Sequence, residues 1–112
     1  MYYLKIFVLN GCPYSIAARD LLLNVKNTEI IYIDQNEKDK YKTKEISTFP
    51  QIYLNKKDSK GSLLLGGYTD LKYVYDLIKE SKNIKTLEKK FIKKYNNWSK
   101  RAVLRLVKLL SV

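Results

Sequence analysis

The chain has 112 residues, 46% of them apolar, and a formal net charge of +11 from 22 basic and 11 acidic side chains; that is enough for one domain with a core, or one domain with an appendage. One cysteine and no histidine exclude an internal disulfide, a self-sufficient Cys/His metal site and a Cys–His nucleophile pair. No apolar run approaches the ~20 residues that cross a bilayer, and Met1-Tyr2-Tyr3-Leu4 lacks a basic leader region, so a reducing, cytoplasmic setting is the expectation.

In chain order, residues 3–9, Tyr-Leu-Lys-Ile-Phe-Val-Leu, read as a short buried strand with little alternation. Asn10-Gly11-Cys12-Pro13-Tyr14-Ser15 follows and holds the only thiol. Pro13 suits a first helical position, where its missing N–H has no partner to lose. From Pro13 to about Val25 the apolar residues Ile16, Ala17, Leu21, Leu22 and Val25 fall at helical spacing. A thiol on a strand-to-helix turn meets free N–H groups and the positive helix end, both of which favour a thiolate. The same pattern also suits an inert cysteine used as a small hydrophobe. Glu29–Asp34 reads as a second buried strand, and residues 35–46 as a polar surface helix. Gln51–Leu54 is a third strand after Pro50, and Ser62–Leu65 is a fourth, the two joined by a polar turn into a hairpin. After Gly66-Gly67, Asp70 stands where an N-cap is expected, ahead of Leu71, Val74, Leu77 and Ile78. The order β-α-β-α-β-β-α implies an α/β fold with a mixed four-stranded sheet and helices on its faces.

The charge is uneven. Residues 82–112 carry ten Lys and Arg against one acid, a net +9, whereas residues 1–81 carry twelve bases against ten acids. The expected division is a first part over 1–81 and a basic helical extension over 82–112. Ile84, Leu87, Phe91, Tyr95, Trp98, Ala102, Leu106 and Leu109 keep one helical face for about seven turns, with Asn96-Asn97 as a place to kink or split. The cationic, aromatic-bearing helix suits an anionic membrane surface or a nucleic-acid backbone contacted through residues 83–112; the plainer reading, which the need to bury the stripe favours, is that it packs on the chain's own sheet or on a twin chain and leaves its lysines in water.

Three motifs occur in order: Cys12-Pro13-Tyr14-Ser15, Thr48-Phe49-Pro50 and Gly66-Gly67-Tyr68-Thr69-Asp70. Together, over roughly residues 2–81, they resemble the glutaredoxins, which carry Cys-Pro-Tyr-Cys or a monothiol variant, then Thr-Val-Pro, then Gly-Gly-x-x-Asp on a thioredoxin-like fold. The resemblance implies that Cys12 is the nucleophile, that Pro13, Tyr14 and Ser15 support it, and that Pro50 is the cis-proline beside it. It implies that the Phe49 backbone pairs with the cysteinyl part of glutathione, while Thr69 and Asp70 hold the γ-glutamyl end. Each motif also has a plainer reading: a turn plus an N-cap, a strand-start proline, a surface tyrosine.

Ser15 stands where the dithiol members have their second cysteine, so no resolving thiol exists in the chain. Glutathione is then the expected co-substrate, and reduction of glutathionylated thiols the expected reaction. The lysine that relatives place three residues before the cysteine is Leu9 here, and the arginine before Thr-x-Pro is Ser47; Lys5, Lys42 and Lys44 are candidate substitutes. One alternative is a [2Fe–2S] carrier in which Cys12 and glutathione from two chains hold the cluster, although Pro13, Tyr14 and the short preceding loop depart from that group. Another is a non-enzymatic adaptor acting through the basic helix. The Lys-, Asn-, Ile- and Tyr-rich usage suits an AT-rich genome, such as that of a large DNA virus.

Overall fold

The computed structural model describes residues 1–111. Four strands, β1 (Tyr2–Leu9), β2 (Thr28–Ile33), β3 (Gln51–Lys56) and β4 (Ser62–Gly66), and four helices, α1 (Pro13–Leu22), α2 (Tyr68–Glu80), α3 (Ile84–Lys94) and α4 (Lys100–Leu110), follow one another with a 3-10 helix at Gln35–Tyr41. The sheet order is β2-β1-β3-β4. β1 is parallel to β2 and antiparallel to β3, and β3 is antiparallel to β4. This is the mixed four-stranded sheet expected from the order of elements, in the thioredoxin-like arrangement that the resemblance implies.

β1 is the centre of the sheet, and it alternates more than its sequence suggests. Leu4, Ile6 and Val8 are buried, whereas Tyr3, Lys5 and Phe7 are half-buried. Successive side chains point to opposite faces, so the even positions meet the helices. They join Ile52 and Leu54 of β3, Ala18 and Leu22 of α1, and Leu71, Val74 and Ile78 of α2 in one core. Apolar residues disguise the other face, where Phe7 packs against Tyr41 of the 3-10 helix and Tyr53 of β3, with ring centroids 5.4 and 5.9 Å apart.

Several boundaries differ from expectation. α1 stops at Leu22, although Val25 is still buried in the core. The polar stretch after β2 forms a 3-10 helix with no buried residue, because its sparse apolar positions offer no face for a full helix to bury. Asp70 is not the N-cap of α2. Gly67 holds that position, and Asp70 sits at the third helical residue, its Oδ2 accepting the Gly67 N–H at 3.1 Å.

The long apolar stripe belongs to two helices rather than one. Asn83 caps α3 by accepting the Thr86 N–H at 3.2 Å, and Ser99 caps α4 by accepting the Ala102 N–H at 3.1 Å. Asn and Ser compete locally for backbone groups and so favour caps over helix interiors. Between the helices the chain turns over stacked Tyr95 and Trp98, centroids 4.9 Å apart. Burial pushes the Tyr95 phenol up to about 12. Leu87, Phe91, Trp98, Ala102, Leu106 and Leu110 all enter the same core as the sheet, so the chain's own interior takes up this apolar face.

Phe91 is among the largest fully buried side chains. Phe91→Ala is therefore expected to cost about 3–5 kcal/mol of stability, measured as the shift in urea-unfolding free energy, and to unfold the sheet and the C-terminal helices in one transition.

Candidate functional site

The carboxyl end of β1 is tied down before the chain turns. The Asn10 N–H donates to Ile33 O at 2.9 Å, Asn10 Nδ2 to Asp34 Oδ1 at 2.7 Å, and Gln35 Nε2 to Asn10 O at 2.8 Å. Gly11 then takes φ +79°, a region open to glycine at little cost. The Cys12 N–H donates back to Leu9 O at 3.1 Å, and the first bond of α1 runs from the Ile16 N–H to Cys12 O at 3.0 Å. Cys12 is thus the N-cap of α1, with Pro13 as its first residue. Cys12 is half-buried at a helix end whose first N–H groups lack helical partners, and its side chain makes no capping hydrogen bond to them.

Ser15 is fully buried, and its Oγ accepts the Leu9 N–H at 3.1 Å. The hydroxyl is therefore committed to the strand–helix junction, where it satisfies a buried amide. Tyr14 goes the other way: it is 65% exposed, and its ring lies 5.9 Å from that of Tyr68 at the start of α2.

The loop before β3 brings the second motif to the thiol. The Phe49–Pro50 peptide is cis, Pro50 is buried, and Cys12 Sγ lies 3.9 Å from Phe49 O. Gln51 Nε2 donates to Tyr41 O at 2.8 Å, which pins both ends of this loop to the body.

The third motif closes the cleft. Gly66 has φ +135°, and a Cβ there would overlap the Asp70 carboxylate. Glycine thus provides both the backbone turn and the room for Asp70 to fold back onto the Gly67 N–H. Tyr14, Thr48, Phe49, Tyr68, Thr69 and Asp70 line one open cleft of about 570 Å³, with Cys12 beside it through Phe49. The three sequence motifs, distant in the chain, therefore meet.

Glu45, Ile46, Leu64 and Tyr68 line the same cleft but were not singled out from the sequence. Tyr68 lay inside the third motif and was legible there. Glu45 and Ile46 sit in an irregular segment with no periodicity to mark them. Glu45 and Asp70 are the charged residues of the lining, which holds no base. Burial, followed by the charge of Glu45, pushes the Tyr53 hydroxyl up. Leu9 is buried and Ser47 is exposed outside the cleft. Lys5, Lys42 and Lys44 do not line the cleft either: Lys5 pairs with Glu29 at 3.7 Å and Lys42 with Asp39 at 2.8 Å. Among the described residues, no three His, Cys, Asp or Glu side chains group as metal ligands.

The Glutaredoxin family model matches residues 2–58, a span that includes Cys12, Phe49 and Pro50. Among solved structures the chain is similar to glutaredoxin 1 from Francisella tularensis, solved as a complex with cacodylate. The two share 28% identity over 72% of this chain and 100% of that one, with a TM-score of 0.53. Curated proteins gave no match.

Ser15→Ala leaves the buried Leu9 N–H without an acceptor. The expected cost is about 1–3 kcal/mol, read by urea unfolding, with faster hydrogen exchange at the Leu9 amide than at the Ile6 amide.

Proposed function

The chain belongs to the glutaredoxin family, whose function is of the thiol–disulfide oxidoreductase type, and we propose that this member uses Cys12 alone to reduce glutathione mixed disulfides. The observation that carries the reading is the meeting of three elements: the Cys12 thiol, the Phe49 backbone 3.9 Å from it, and the N-terminus of α2 across one cleft.

The α2 N-terminus supplies amide N–H groups and a positive dipole end for the γ-glutamyl carboxylate. Asp70 spends Oδ2 on the Gly67 N–H, which leaves Oδ1 to accept from the glutamyl ammonium. With that end seated, the backbone at Phe49 sets the cysteinyl part beside Cys12, and Tyr14 and Tyr68 wall the entrance. The Cys12 thiolate attacks the glutathione sulfur of the mixed disulfide. The Cys12–glutathione disulfide forms, the old S–S bond breaks, and the substrate leaves as a thiolate that takes up a proton. A second glutathione thiolate then attacks the glutathione sulfur on Cys12, releasing oxidised glutathione and the Cys12 thiolate. The net change is one mixed disulfide plus one glutathione to one thiol plus oxidised glutathione. Because the chain holds one cysteine, the resolving thiol comes from solution.

Reduction of a glutathionylated peptide by glutathione should be catalysed by the wild type and fall to background in Cys12→Ser, and mass spectrometry of the wild type treated with oxidised glutathione should show one glutathione adduct. No wild-type turnover would defeat this reading. Glutathione carries a second carboxylate, and the cleft meets it with Glu45 and no base. Glu45→Gln should therefore lower KM for the glutathionylated substrate by about 1.5- to 5-fold, the range of an exposed charge interaction, and leave kcat unchanged, as read from initial rates.

A further inference from the structure

We infer that the flank formed by α4 and the α1–β2 turn is a docking surface for duplex nucleic acid, held by Lys26, Arg101, Arg105 and Lys108 through backbone phosphates.

All ten bases of residues 82–111 are exposed, and among the described residues none of them forms an ion pair, in contrast to Lys5, Arg19, Lys40, Lys42 and Lys72. Lys90 and Lys94 lie over the Tyr73 ring, but no acid among the described residues neutralises the excess charge inside the molecule. Part of it is also ordered into a row. Lys26, Arg105 and Lys108 line one surface hollow beside Met1 and Tyr2. Arg101, Arg105 and Lys108 line the neighbouring groove between α3 and α4, where Glu88 is the one acid. Arg105 and Lys108 are common to both, so the four bases are contiguous. On α4 the spacing 101, 105, 108 keeps them on one side, opposite the residues it sends into the core.

Two features decide the kind of polyanion. A helix lying in a membrane interface needs its apolar face for the acyl boundary. Here Ala102, Val103, Leu106, Val107 and Leu110 are buried, and on these helices only Ile84 and Leu104, each 39% exposed, remain as exposed large apolar side chains. Proteins of single strands add a series of aromatic stacking platforms; here Phe91 and Trp98 are buried, exposed Tyr73 lines neither hollow, and half-buried Tyr2 is the one aromatic beside the row. The apolar side chains beside the row are divided between two hollows, Met1 and Tyr2 in one and Ile84 and Leu104 in the other, with Arg105 and Lys108 common to both, so the row offers phosphates its charge without a continuous apolar face for acyl chains, which fits a duplex. The hollow with Met1 and Tyr2 lies at the start of β1 and Cys12 lies past its end, about 23 Å away along the strand. Docking there leaves the thiol cleft open, and the inference does not depend on the chemistry proposed for Cys12.

The test is fluorescence anisotropy of the full chain on a labelled duplex of about 20 base pairs, from about 50 to about 200 mM salt. Three proteins are compared: wild type, Arg101→Gln/Arg105→Gln/Lys108→Gln, and a charge-matched control, Lys38→Gln/Lys40→Gln/Lys60→Gln, with circular dichroism to verify folding. The expected result is salt-sensitive wild-type binding, a log–log salt slope flatter by about 2.7 in the α4 variant, at about 0.9 per lost phosphate contact, and an unchanged slope in the control. Equal losses in both variants would overturn the inference in favour of diffuse net charge. Absence of duplex binding would overturn it too, as would binding to vesicles of phosphatidylserine and phosphatidylcholine that exceeds binding to the duplex. Cys12→Ser should bind the duplex as the wild type does.

Discussion

The Leu9 amide donates to Ser15 Oγ while the Leu9 carbonyl accepts from the Cys12 amide. Together the two bonds close the turn between the central strand and the first helix, so the position of the thiol follows from that of β1. β1 in turn is paired on both edges, by β2 and β3, and packed from the helix side by a continuous core. Rigidity of this kind is what thiol–disulfide exchange asks of a scaffold, because the attacking sulfur must meet one particular sulfur of the substrate. It also gives Ser15 a physical role. Where a second thiol would stand in a dithiol site, this chain has a buried hydroxyl that already has a partner.

The molecule separates its charges by location. The cleft beside Cys12 has acidic side chains in its lining and no basic one, whereas the α4 flank gathers bases whose carriers send their apolar neighbours inward. Exposed charges act over about a Debye length, ~10 Å at ordinary salt, so the two ends act on their surroundings almost independently.

The order of elements, the strand–turn–helix around Cys12 and the two later motifs were legible because each depends on local chemistry: apolar period, proline at a helix start, glycine before a cap. Their convergence on one cleft was legible only through resemblance, since nothing in a linear sequence states that Phe49 will lie against Cys12. Asp70 caps α2 from the third helical residue rather than from the N-cap position its sequence context suggests, because its carboxylate folds back over Gly66 onto the Gly67 N–H. The C-terminal stripe splits where Asn96-Asn97 mark a place for it, between α3 and α4. The 3-to-4 spacing of apolar residues continues across residues 95–99, while the end of α3 at Tyr95 and the cap of α4 at Ser99 interrupt the backbone without interrupting the period.

By itself the amino-acid sequence determined which segments fold as strands and helices, that one thiol stands on a strand-to-helix turn with no second thiol to resolve it, and that the positive charge gathers in the last quarter of the chain. Those properties reside in residue type and short-range spacing, which the backbone obeys wherever it is placed. Only the tertiary structure decided that the apolar stripe of that basic quarter is spent on the core, that Glu45 faces the cleft, and that Lys26 joins a row with residues of α4. Each of those depends on which surfaces the packed sheet leaves free, a property of the assembled core that no single stretch of the chain carries.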